Sequence, residues 1–184
     1  MRIIGGKYKS KRFKAPKNIT ARPTTDFAKE GLFNMLDNKI YFEDIAVLDL
    51  FSGIGAISLE FASRGCNDIT LVEKDRKQIK FINRMIQEID MEDEIHSIQL
   101  DAYKYLKTCA RKFDLIFADP PYYMDKVEEL PTLILEKNLL NPEGFLVFEH
   151  YKKVDLSHTK GYIETRNYGN VNFSFFESPE SEEE

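Results

Sequence analysis

Between residues 46 and 149, five short apolar runs alternate with longer segments of helical character, and this alternation constrains the fold more than any other feature of the chain. The runs occupy residues 46–51, 69–73, 95–100, 113–118 and 144–149. All have the length of a β-strand, and their near-continuous Val, Ile, Leu and Phe content predicts burial on both faces. After Asp75, isoleucines at 79, 82, 86 and 89 follow steps of three, four and three, so one helical face is apolar and Asp75 is placed to cap it. A further helix is predicted to begin near Thr24, Thr25 and Asp26, carrying Phe33 and Leu36 towards its end. Repeated strand-helix alternation implies right-handed βαβ units and a parallel, doubly wound sheet. After His150 the pattern changes: residues 162–168 and 171–176 flank Gly169-Asn170, which predicts a closing antiparallel hairpin. The expected class is therefore α/β, with a mostly parallel seven-stranded sheet covered by helices on both faces.

A chain of 184 residues can bury roughly 70% of its unfolded surface in one core, so neither disulfides nor a structural metal is required. Its formal net charge of −5 conceals a strong asymmetry. Residues 1–40 hold ten basic and three acidic side chains, a balance of +7, which leaves 16 basic and 28 acidic, or −12, for the remainder. Arg2, Lys7, Lys9, Lys11, Arg12, Lys14 and Lys17 occur with no acid among them, interleaved with Tyr8 and Phe13, and Arg22 follows. Such a stretch is either a solvated charge run or an arm that grips phosphates. The predicted division is a basic arm over residues 1–23, a main domain over 24–176, and an acidic, disordered tail over 177–184, where five Glu accompany Pro179 and two Ser. Cys66 and Cys109, in segments that read as helical, suggest no disulfide framework and point to a reducing cytoplasm. His96, His150 and His158 lack companions at ligand spacing, so no metal is expected. No apolar run approaches the ~20 residues of a membrane span or resembles a signal peptide, and a monomer is expected.

In a sheet of this kind ligands bind outside the carboxyl ends of the strands. Four such ends carry suggestive residues. Asp49-Leu50-Phe51-Ser52-Gly53-Ile54-Gly55 runs from a strand through a glycine turn into a helix, where a ligand can approach the backbone closely. A dinucleotide fingerprint would require a third glycine at 58, but Ser58 stands there. Glu73, followed by Lys74, lies 18 residues beyond Gly55, where a carboxylate can accept hydrogen bonds from ribose hydroxyls, unless it simply heads a helix. Asp101-Ala102 offers an acceptor beside a small residue, suited to an adenine amino group, although Asp101 equally fits a helix cap. The most specific signal is Asp119-Pro120-Pro121-Tyr122. Two prolines stop the strand and stiffen the turn, presenting the Asp119 carboxylate, the Pro120 carbonyl and the Tyr122 ring to a planar base that bears an amine.

Together these residues resemble the class I S-adenosylmethionine-dependent methyltransferases. Within that class the chain is similar to the RsmD-like 16S ribosomal RNA guanine-N2 methyltransferases. The narrower likeness rests on Arg2-Ile3-Ile4-Gly5-Gly6, Arg22-Pro23-Thr24 with Asp26, Leu32-Phe33-Asn34-Met35-Leu36, and Leu48-Asp49-Leu50-Phe51-Ser52-Gly53. It runs from residue 2 to about residue 150. Where the family carries Lys-Gly-Arg, this chain has Lys9-Ser10-Lys11-Arg12, and Lys29 precedes Glu30 where Arg is usual; both departures keep the charge. The resemblance implies a Rossmann-like methyltransferase fold binding S-adenosylmethionine through Asp49, Phe51, Ser52, Gly53, Gly55, Glu73, Lys74, Asp101 and Ala102. It implies catalysis by Asp119, Pro120, Pro121 and Tyr122 on a flipped guanine of small-subunit ribosomal RNA or an assembling 30S particle, held by the basic arm. The same Asp-Pro-Pro-Tyr turn serves DNA adenine-N6 methyltransferases, and a non-catalytic RNA-binding assembly protein could keep the fold. Protein glutamine methyltransferases typically begin the turn with Asn, which Asp119 disfavours.

Overall fold

The structure, a computed structural model, describes residues 1–16, 19, 24–122 and 124–178. Lys17, Arg22, Pro23 and the tail residues 179–184 lie outside the described residues. One seven-stranded sheet organises the chain, in the order β3-β2-β1-β4-β5-β7-β6. Strands β1 (Ala46–Leu50), β2 (Asp68–Glu73), β3 (Ile95–Gln99), β4 (Phe113–Ala118) and β5 (Leu140–Tyr151) are parallel. Strands β6 (Tyr162–Tyr168) and β7 (Val171–Glu177) form the hairpin around Gly169 (φ +69°), with β7 antiparallel to β5 and β6 at the edge. Two expectations about limits change. The fifth strand begins four residues before Gly144, and Glu177 closes β7, where its N–H donates to the Gly161 carbonyl, instead of opening a tail. Cys66 and Cys109 are free and lie just past helix ends instead of within helices.

Helices α1 (Asp26–Leu36), α2 (Ala56–Ser63) and α3 (Arg76–Glu88) cover one face of the sheet, and α4 (Ala102–Thr108) and α5 (Leu130–Glu136) the other. The capping residues follow the sequence closely: the Thr25 hydroxyl accepts from Ala28 N–H, Asp75 from Lys77 and Gln78, and Asp101 from Tyr103 and Lys104. On α3 the isoleucine face is buried, with Ile79, Ile82 and Ile86 packed alongside Phe81 and Met85. Helix α5, which the periodicity did not reveal, spans only seven residues and buries Leu130, Ile134 and Leu135, with Pro131 in its first turn.

The N-terminal segment folds back on itself, with Arg2 bridging Arg12, and Ile3 and Phe13 buried in the core shared by α1, α2 and α3. Its tip is fitted against the end of α2. Lys7 N–H donates to the Ser63 carbonyl, and a Cβ on Gly6 (φ +70°) would fall inside that same carbonyl oxygen, so glycine is required there. Tyr8 reaches further, its hydroxyl donating to the Ile89 carbonyl at 2.8 Å. Lys29, one of the ten basic side chains of residues 1–40, faces inward: it is 1% exposed, ion-paired with Glu60 at 3.0 Å, and donates to the Arg2 carbonyl. The buried carboxylate of Glu60 also accepts from Ile4 N–H and from Arg64, so one acid ties the hairpin to α1 and α2. Among the described residues no helix is long and apolar enough to cross a membrane, and no group of three His, Cys, Asp or Glu side chains could hold a metal ion.

Candidate functional site

At the end of β1 the chain turns through three left-handed residues in five: Phe51 (φ +59°), Gly53 (+57°) and Gly55 (+74°). For Phe51 this conformation is strained, a condition that persists where the surrounding fold fixes it. The turn is held on both sides. Ser52 N–H donates to the Val72 carbonyl, Gly55 N–H to the Ser52 carbonyl, and Gly53 N–H to Glu73 Oε2 at 3.0 Å. Glu73 Oε1 accepts from Asp75 N–H at 2.8 Å, so this nearly buried acid braces both the glycine turn and the start of α3 while retaining lone pairs for a ligand. Gly55 is the N-cap of α2.

Beside this turn opens a cavity of about 510 Å³, within the range of small-molecule sites. Phe51, Gly53, Glu73, Lys74, Asp101, Ala102, Asp119, Pro120, Pro121 and Tyr122 all line it. Ten of the residues expected from the sequence thus share one wall, although they come from the ends of four strands. Asp49 and Ser52 instead line a small recess of about 30 Å³ that Phe51, Gly53 and Asp119 share, and Gly55 lines neither. Asp101 serves both readings: Oδ1 caps α4, and the residue borders the cavity. Two buried side-chain oxygens have no hydrogen-bond partner among the described residues, Ser52 Oγ and Gln78 Oε1, and each borders one of these spaces. Buried polar atoms are rarely left unpaired, so both point to a ligand with complementary donors. Gln78 was not anticipated; on an exposed helix start it carries no pattern of its own. The lining is rich in carboxylates, with Lys74 the cation beside them, which suits a ligand carrying positive charge together with ribose and adenine groups. S-Adenosylmethionine, with its sulfonium and ammonium groups, fits that lining; a dinucleotide pyrophosphate does not.

Three carboxylates meet where β1, β4 and β5 end. Ala118 pairs with Leu50 on one side and Phe148 on the other, so Asp119, just past β4, stands level with Glu149, two residues before the end of β5. Asp49 is buried, and burial raises its pKa to about 7, although Ser58 Oγ donates to it at 2.6 Å. This explains serine at position 58, where a dinucleotide site would have glycine. Glu149, which the sequence presented only as a strand end, is 1% exposed, and burial lifts its pKa to about 7 against hydrogen bonds from Thr24 Oγ1 (3.0 Å) and Tyr122 Oη (3.3 Å). Asp119 is raised well above the ordinary carboxylate range by burial and by the nearby charges of Glu149 and Asp49.

A pH dependence follows. Asp49 and Glu149 bind protons in the folded state up to about pH 7, but in the unfolded chain only to their ordinary values of 3.8 and 4.5. The folded state holds the extra protons in that window, so stability should fall as pH rises from about 4 to about 7. Thermal unfolding of the ligand-free protein is expected to show a lower midpoint at pH 8 than at pH 5, with Asp49→Asn removing part of the difference. An equal slope in wild type and variant would locate the effect elsewhere.

Comparisons with known proteins agree with this geometry. The family described as Conserved hypothetical protein 95 matches residues 1–177. YlbH of Bacillus subtilis (strain 168) is 37% identical over 164 residues, 88% of each chain. Ribosomal RNA small subunit methyltransferase D of Escherichia coli (strain K12) is 30% identical over 149 residues, 81% of this chain and 74% of its own. Among solved structures, a hypothetical protein of Thermus thermophilus superposes with a TM-score of 0.82 at 28% identity, covering 96% of this chain and 99% of that one. With the seven-stranded sheet, the glycine turn and the Asp-Pro-Pro-Tyr loop in place, the chain belongs to the Conserved hypothetical protein 95 family, the RsmD-like group of the class I methyltransferase fold.

Proposed function

We propose that this S-adenosylmethionine-dependent ribosomal RNA methyltransferase modifies the exocyclic N2 of a guanine in small-subunit ribosomal RNA, taking the base flipped out of its stack. The observation that carries the reading is Asp119. Its carboxylate borders the cavity, receives no side-chain or backbone hydrogen bond among the described residues, and stands on a loop whose two prolines hold it in place. Phosphate contacts would come from the exposed Arg2, Lys7, Lys9, Arg12 and Lys14 and the half-buried Lys11.

When bound, S-adenosylmethionine supplies an electrophilic methyl group whose bond to sulfur breaks as its bond to nitrogen forms, leaving a neutral thioether. The residues of the chain address the nucleophile. The N2 lone pair is delocalised into the guanine ring, so the free amine attacks poorly. Hydrogen bonds donated by this amine to Asp119 and to the Pro120 carbonyl favour a more pyramidal nitrogen and aim its lone pair. Tyr122, 45% exposed on the same loop, offers a stacking face. Positioning of this kind can contribute roughly 7 to 11 kcal/mol, and after transfer the extra proton passes from the acidified nitrogen to water, so Asp119 need not be a strong base.

Purified protein is expected to transfer a labelled methyl group to 16S ribosomal RNA or to small-subunit particles, and nucleoside mass spectrometry should identify N2-methylguanine. N6-methyladenine as the product, labelling of DNA alone, or no product on any RNA would overturn the proposal.

A further inference from the structure

On the other side of the Asp-Pro-Pro-Tyr loop lies a second cavity, of about 190 Å³. Glu149 and Thr24 border it together with four aromatic side chains, Phe27, Tyr122, Tyr151 and Tyr168. Three of these rings are unusually exposed, Phe27 at 65%, Tyr122 at 45% and Tyr151 at 44%. Tyr122 and Tyr151 meet edge to face with centroids 4.2 Å apart. Aromatic walls around one carboxylate make a place for a planar ring that carries N–H donors.

The carboxylate itself is unusual. Glu149 is almost wholly buried, yet among the described residues no Lys, Arg or His pairs with it; its partners are the neutral hydroxyls of Thr24 and Tyr122, one on each oxygen. Each oxygen therefore keeps a lone pair. Burying a carboxylate without a cation is costly. A purpose in binding would explain its retention.

We propose that Glu149 is the base-selecting residue of the site, accepting the N1–H of the target guanine while Asp119 accepts from the neighbouring N2 amine. The inference rests on the reading of the reaction given above and adds to it the group that distinguishes guanine from adenine. Ala118 pairs with Phe148, so Asp119, the residue after β4, comes level with Glu149, two residues before the end of β5, on a strand about 4.8 Å away. Tyr122 borders both the cavity that Asp119 lines and the one that Glu149 lines, and a ring placed against it would meet the two acceptors along one edge. Guanine offers two neighbouring donors there, N1–H and the N2 amine. Adenine offers an amine beside a bare N1 lone pair, which would face the carboxylate oxygen without a proton between them. Tyr122 links the two acids: its hydroxyl holds Glu149 while its backbone belongs to the loop that carries Asp119. Glu149 is thus a specificity-determining residue, and Thr24 a positioning residue that fixes its carboxylate.

The test varies the base before the protein. Once the modified position is mapped, RNA carrying 2-aminopurine at that position keeps the N2 amine but has no N1–H. Wild-type enzyme is expected to favour guanine over 2-aminopurine by about 100-fold or more in kcat/KM, because a site built to accept an N–H rejects the analogue lacking it. Glu149→Gln, whose amide can donate to the bare N1, should narrow that ratio to less than about 10-fold while cofactor affinity, measured by calorimetry, stays within about threefold. Equal rates on the two bases with wild-type enzyme, or an unchanged ratio in Glu149→Gln, would overturn the assignment while leaving guanine methylation intact. Absence of N2-methylguanine from wild-type enzyme on unsubstituted RNA would instead remove the underlying reaction and the selection with it.

Discussion

Replacing Asp119 with alanine should lower kcat by at least about 1000-fold, while the dissociation constant for S-adenosylmethionine changes by less than about threefold. Removing one preorganised group aimed at the reacting atom typically costs about 100- to 1000-fold, and here the lost carboxylate would both hold the amine and orient its lone pair. The loop itself should survive, because Pro120 and Pro121 set its course and β4 remains anchored between β1 and β5. Cofactor binding should survive because the turn at Gly53 is fixed by Glu73, not by Asp119. A second consequence separates chemistry from packing. Asp119 contributes to raising the Tyr122 hydroxyl above its ordinary value, so the variant should titrate Tyr122 at lower pH than wild type does. Single-turnover kinetics and calorimetry on the same preparation decide the matter: loss of cofactor affinity equal to the loss of rate would assign Asp119 to structure alone.

The strand pattern made the architecture legible because strands buried on both faces need apolar residues at every position, and few other arrangements do. Helix α3 was equally plain from its isoleucine spacing and from Asp75. What stayed hidden depends on partners distant in sequence. Ser58 is one serine among many until α2 brings it to Asp49, and Glu149 ends an apolar run like many other acids until Thr24, 125 residues earlier, is placed against it. Lys29 misleads most. In a basic segment it counts as one more surface charge, yet its position around α1 decides whether it faces water or Glu60. Charge arithmetic along the chain cannot resolve that, since a helix turns about 100° per residue and so spreads neighbouring residues over different faces. Asp101 shows the reverse case, in which one side chain satisfies the structural reading by capping α4 and the functional one by bordering the cavity.

The inward turn of Lys29 changes how the basic segment should be understood. Helices α2 and α3 run antiparallel to the strands, so their C-terminal ends lie away from the strand ends that build the cavity. Lys7 and Tyr8 bond to Ser63 at the end of α2, and Lys11 to Glu88 at the end of α3. The tip of the hairpin therefore lies at the far end of the domain, whereas Arg2, paired with Asp26 at the start of α1, lies towards the cavity. A substrate that touches both must extend along the whole flank, as a folded RNA can and a short oligonucleotide cannot. The geometry of this flank depends on Glu60, which gathers Lys29, Arg64 and the Ile4 N–H into one buried cluster. Glu60→Ala would leave Lys29 buried with only the half-exposed Asp26, 3.6 Å away, as a counter-charge. Breaking a buried pair from one side typically costs about 3 to 5 kcal/mol. Denaturant unfolding should show a loss of that order, accompanied by faster proteolysis within residues 1–16 and a shallower salt dependence of RNA binding as the phosphate contacts lose their alignment. A stability change below about 1 kcal/mol with an unchanged salt slope would mean that the hairpin holds its place through Ile3 and Phe13 alone.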